Sequence, residues 1–139
     1  MIDKAAVQLR ALQLYAHHAH NNCQGATFLQ DHGLFGDTYS AAESDYDDVV
    51  ERIIGMSSKT VDTLAIAEQA VKIASSMPKD GGDCNCAFLA SVLRLEVSIC
   101  AIIEKCVAGS GYPEGTKQLL GGIADKSMVR QYKLKQRMK

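Results

Sequence analysis

Apolar positions recur every three or four residues along almost the whole chain, the spacing of helices that each bury one face. Between residues 2 and 23 the small and apolar positions Ala5, Leu9, Leu12, Ala16, Ala19 and Cys23 form one such stripe. The segment NNCQG follows, and its Asn and Gly supply the usual chemistry for ending a helix. Phe28, His32, Phe35, Tyr39, Ala42, Tyr46, Val49, Ile53 and Met56 then step regularly by four and three. That run predicts a second helix of about eight turns, roughly 42 Å long at about 1.5 Å per residue. Gly33 and Gly36 weaken its start, and Ser57 and Ser58 interrupt it.

A shorter amphipathic segment occupies 60–77 and is closed by PKDGGD, the clearest loop signal in the chain. Residues 84–108 predict a third long helix whose apolar side chains cover most faces, as expected for a helix buried on several sides. GSGYPEG breaks it, and Pro113 suits the first turn of a fourth long helix running to the end of the chain. No repeat or low-complexity segment is visible. The pattern predicts an all-α fold: one domain over 1–139, a bundle of four long helices with a short extra helix between the second and third.

Composition narrows this picture little. The chain has 139 residues, two prolines (Pro78 and Pro113) and a formal net charge of −1, so bulk charge selects no class of partner. The distribution is uneven, because the closing segment KSMVRQYKLKQRMK carries Lys126, Arg130, Lys133, Lys135, Arg137 and Lys139 and no acid. The early charges of MIDKAAVQLRALQLYAHHAH and the lack of a long uninterrupted apolar run predict no signal peptide, no membrane span and a cytoplasmic location. The five cysteines are odd in number, and Cys86, Cys100 and Cys106 fall on a predicted helix, which predicts reduced thiols rather than a disulfide framework. Cys84 and Cys86, in DCNC, lack the second pair that zinc sites use and are expected to be helix-terminal thiols.

The residues that could carry chemistry are His20, His32, Asp47 and Glu51. A single helical histidine is most often solvated or satisfied in the core, and Asp47 and Glu51, near Asp45 and Asp48, read equally well as an acidic solvent face. Together they say more. His32 falls on the apolar stripe, where an unpaired imidazole is costly. Asp47 and Glu51 lie one turn apart, so their oxygens can converge on one cation, and two imidazoles with two carboxylates suit iron or another divalent transition metal. However, His32 and Asp47 are separated by fifteen residues of one helix, about 22 Å along its axis. Only two copies of that helix, antiparallel across a two-fold axis, bring them together. The spacing therefore predicts a metal site shared between subunits of a homo-oligomer.

At this point a family resemblance enters. HNNCQGATFLQDH followed by YDDVVER resembles the Dps (DNA-binding protein from starved cells) branch of the ferritin-like proteins. His20, Gly25, Phe28, His32, Asp47, Glu51 and Arg52 all fall in register with that family's pattern. The short segment at 60–77 and GYPEGTKQLLGGI extend the likeness over nearly the whole chain. The resemblance implies a ferritin-like four-helix bundle and a homododecameric shell. It also implies a ferroxidase centre in which His20 and His32 of one subunit and Asp47 and Glu51 of its two-fold neighbour bind Fe²⁺. There the iron is oxidised, typically with hydrogen peroxide, and stored inside as ferric mineral, protecting against oxidative damage.

The chain departs from the pattern at two points. Asn21 stands where the family usually has Trp, and Gly36 where a further acid is common, with Asp37 beside it as a replacement ligand. The family's Lys-rich N-terminal tail is also missing, which leaves Lys126, Arg130, Lys133, Lys135, Arg137 and Lys139 as the expected DNA-binding residues. A second reading of a different class follows: a non-specific, DNA-condensing cage protein whose metal site is weak or vestigial.

Overall fold

The computed structural model describes residues 1–109 and 111–139, which form five helices and no strand among the described residues. These are α1 (Ile2–Asn22), α2 (Phe28–Ser57), α3 (Thr63–Ser75), α4 (Cys86–Ala108) and α5 (Glu114–Arg137). The fold is an all-helical bundle of four long helices and one short one, with boundaries close to those the hydrophobic periodicity predicts.

Helix α1 is the hub, packing on α2, α3 and α4. Its stripe of Ala5, Leu9, Leu12, Ala16 and Ala19 is completely shielded from solvent, and the alanines let three neighbours approach its backbone closely. The core continues through Phe35, Val49, Phe88, Leu95, Ile99, Ile103, Leu120, Ile123 and Leu134.

Hydrogen bonds between helix ends fix the directions. The Tyr112 hydroxyl accepts the Ile2 amide at 3.0 Å, and the Asn85 side chain binds both the amide and the carbonyl of Gln24, so α1 and α4 are antiparallel. Arg52 near the end of α2 donates to Thr116 at the start of α5, and Arg137 at the end of α5 donates to Asp31 at the start of α2, so these helices are antiparallel too. Each hairpin has a short turn, while α2 and α4 run in the same direction and need one long crossover, residues 58–85, which carries α3. Ser58, in the left-handed conformation (φ 56°), ends α2, and the Asp62 carboxylate caps α3 by accepting the amides of Leu64 and Ala65.

Two expectations need correction. Helix α4 is not covered on all its apolar faces, since Val97 is 48% and Val107 36% exposed. It is also long and apolar enough to cross a membrane by length and composition, with a mean hydropathy of 2.0 over its most apolar window. Its inner face nevertheless carries Glu96, wholly buried and paired with Arg130 of α5, which fits a bundle core helix. Secondly, Cys84 and Cys86 are joined in a disulfide rather than present as free thiols. Cys23, Cys100 and Cys106 are free, as expected.

Candidate metal centre at the α1–α2 junction

The turn between α1 and α2 is short because Gly25 takes a left-handed backbone (φ +89°). It brings the last turn of α1 beside the first turns of α2. His20 and His32 consequently stack, with ring centroids 3.7 Å apart and planes 22° from parallel. Each ring also bonds the other residue's backbone: Nδ1 of His20 lies 2.8 Å from the His32 carbonyl, and Nδ1 of His32 lies 2.9 Å from the His20 carbonyl. A carbonyl only accepts, so Nδ1 carries the hydrogen in both rings. In the neutral imidazoles Nε2 then holds the lone pair, the tautomer that a metal ligand requires.

The surroundings hold this pair in place. Phe28 stacks on His32 at 4.8 Å, and Tyr39 meets the His20 ring edge-on at 5.3 Å while stacking on His17 at 4.1 Å. Gly36 is the close-approach point: a Cβ there would lie 3.1 Å from His20 Nδ1. The missing side chain at Gly36 thus makes room for the ring against α2. Asp37 is exposed and lies about 140° around the helix from His32 at about 100° per residue, so it points away from the His20–His32 pair within the chain. Cys23 is buried against the junction, its thiol donating to the His20 carbonyl at 3.5 Å. Burial first, and the Asp31 charge second, push the Cys23 thiol up, which keeps it protonated and inert.

Asp47 and Glu51 occupy one exposed face of α2, one turn apart, and neither forms an ion pair among the described residues. Glu51 borders an open depression with Asp48, Arg52, Gly55 and Leu119. Helix α2 runs unbroken from Phe28 to Ser57, so the separation of about 22 Å between His32 and Asp47 stands. No group of three or more potential metal ligands is assembled within the chain among the described residues. The chain brings His20 to His32 and Asp47 to Glu51, and keeps the two pairs apart.

Several of the strongest polar contacts escaped sequence reasoning. Asp31, beside His32, is wholly buried and receives Arg137 (2.8 and 3.0 Å), Asn85 (2.8 Å) and Thr27 (2.7 Å). Burial pushes its carboxyl up, but the hydrogen bonds from Arg137, Asn85 and Thr27 outweigh it and leave the group below its ordinary range. Glu96 goes the other way: burial raises it despite the two-pronged contact from Arg130. Lys126 binds Asp45 at 2.6 Å.

These pairs also change the reading of the basic C-terminal segment. Arg130 is buried against Glu96 and Arg137 is tied to Asp31, so neither presents its charge to a phosphate backbone. Of the six expected cations, Lys133, Lys135 and Lys139 are exposed and free of ion pairs among the described residues. No protein-family model, curated protein or solved structure matches the chain.

Proposed function

We propose that the chain is the subunit of a Dps-like mini-ferritin, which takes Fe²⁺ as substrate, oxidises it with hydrogen peroxide between two-fold-related subunits and retains the ferric product in a dodecameric shell. The observation that carries this reading is the reciprocal hydrogen bonding of His20 and His32, which leaves two Nε2 lone pairs free within one helical junction. Both rings are half-buried, and Nε2, without a protein partner among the described residues, stays open to an incoming ion while Nδ1 is anchored. The free carboxylates of Asp47 and Glu51, out of reach in the same chain, supply the complementary half. The single long crossover between parallel α2 and α4 is the connection typical of ferritin-like bundles.

The division of labour follows from ligand chemistry. Neutral imidazoles of His20 and His32 bind Fe²⁺ without adding charge, while Asp47 and Glu51 of the neighbour favour the harder Fe³⁺ product. Peroxide accepts one electron from each of two ferrous ions and, with two protons, leaves as water. The carbonyl anchors keep the imidazoles oriented through this change of charge. Removing Fe²⁺ and peroxide together suppresses hydroxyl-radical formation. Non-specific DNA condensation, the reading of the other class, now draws only on Lys133, Lys135 and Lys139.

Mixing purified protein with Fe²⁺ and peroxide and following ferric absorbance tests the proposal. His32→Ala combined with Asp47→Ala is expected to slow oxidation by about tenfold or more. An unchanged rate rejects the ferroxidase reading, and a monomeric mass in solution rejects the shared site.

A further inference from the structure

The Cys84–Cys86 disulfide plays no part in the iron chemistry above. It spans a single residue, Asn85, at the start of α4, and both cysteines are exposed. A crosslink stabilises a fold chiefly by restricting the unfolded chain, and that effect shrinks with loop size. A ring enclosing one residue restricts the unfolded chain far less than a long loop does. The fold also does not need the bond to hold this segment. Asn85 is wholly buried, adopts the left-handed conformation (φ 59°) that Asn tolerates, and uses its side chain to bind the Gln24 amide, the Gln24 carbonyl and Asp31. Arg137 anchors the preceding residue by donating to the Cys84 carbonyl at 3.0 Å. These contacts hold the two cysteine Cα atoms, 5.1 Å apart, whether or not the sulfurs are bonded.

We propose that Cys84–Cys86 is a redox-active pair that exchanges electrons with small-molecule thiols of the glutathione type. Cys86 is the first residue of the 23-residue helix α4, so its thiolate lies at the positive end of the helix dipole and is the better leaving group. The incoming thiolate bonds to Cys84 Sγ, the disulfide breaks, and the electron pair goes to Cys86 Sγ. A second thiol attacks the small-molecule sulfur of the mixed disulfide, releasing Cys84 and a small-molecule disulfide. Two thiol protons end on the two cysteines, so two electrons and two protons move in all. In reverse, the Cys86 thiolate resolves a mixed disulfide at Cys84. The proposal is independent of the iron reading.

The test uses the whole oxidised protein. It is incubated with millimolar reduced glutathione, quenched with a maleimide and mapped by peptide mass. The Cys84–Cys86 peptide is expected to pass from unlabelled to doubly labelled with unchanged helical circular dichroism, and glutathione disulfide is expected to reverse this. Cys86→Ser, which lacks the resolving thiol, is expected to accumulate a glutathionyl group on Cys84 when it is incubated with glutathione disulfide, reduced glutathione leaving. A peptide that stays unlabelled until the protein is denatured identifies a structural crosslink and overturns the proposal. Full labelling before any reductant is added overturns it as well, as does the absence of adduct on Cys84 in Cys86→Ser.

Discussion

At the scale of single residues, the junction rests on two very different kinds of contact. His20 and His32 are twelve residues apart and meet through a five-residue turn, so sequence spacing alone placed them on adjacent helices. Asp31 and Arg137 are 106 residues apart, and nothing in one sequence pairs them. The same holds for Asp45 with Lys126 and Glu96 with Arg130, which is why the basic C-terminal segment read as a free charged surface when half of its cations are paired to carboxylates. Removing Asp31 takes the charged acceptor from the Arg137 guanidinium and one of two acceptors from the buried Asn85 amide. Asp31→Ala is therefore expected to cost about 3 kcal/mol in urea denaturation. Because the folded Asp31 carboxyl lies below its unfolded value of about 3.9, its stabilisation is complete above that value and is lost as pH falls through the folded value. Asp31→Asn should flatten that acid limb of the stability profile; an unaltered limb would assign the acid sensitivity elsewhere. Gly36 supplies a second check. The Cβ of Gly36→Ala would press on His20 Nδ1 at 3.1 Å and tilt the ring off the His32 carbonyl. Co²⁺ titration followed by visible absorbance should show roughly tenfold weaker binding, with the helical content unchanged.

At the scale of elements, all five helices were legible: α1, α2 and α3 from a stripe that repeats at the helical period, and α4 and α5 from the breakers PKDGGD and GSGYPEG that bound them. What the stripe packs against could not be read. The even apolar coverage of α4 predicts burial on several sides; within the chain α1 and α5 cover it, while on its outer side Val97 stays half-exposed. Helix α1 is the opposite case, where small size rather than hydrophobicity carries the information. Ala16 and Ala19 are completely buried where α1 meets its neighbours. Ala16→Leu is expected to destabilise the bundle by about 1–3 kcal/mol through overpacking, measured as a shift in the urea midpoint at constant m-value. Helix α3 depends on its cap, and Asp62→Ala should cost about 1 kcal/mol and raise amide exchange at Leu64 and Ala65 before any other helix responds.

At the scale of the whole molecule, the central claim is that the subunit holds two half-sites and completes neither alone. The separation of His32 from Asp47 was legible because both lie on one helix, whose length per residue is fixed. The proposed neighbour that would complete the site lies outside any single chain, so mixing subunits tests for it. One set would carry His20→Ala with His32→Ala, and the other Asp47→Ala with Glu51→Ala. Each set alone should be inactive toward Fe²⁺ and peroxide. In a two-fold dimer formed from one subunit of each kind, one interface site carries all the substitutions and the other carries none. Co-expression with random pairing should therefore restore about a quarter of the wild-type oxidation rate, since half the dimers are mixed and half their sites intact. Mixed dimers that form, as verified by mass, yet remain inactive would contradict the shared site.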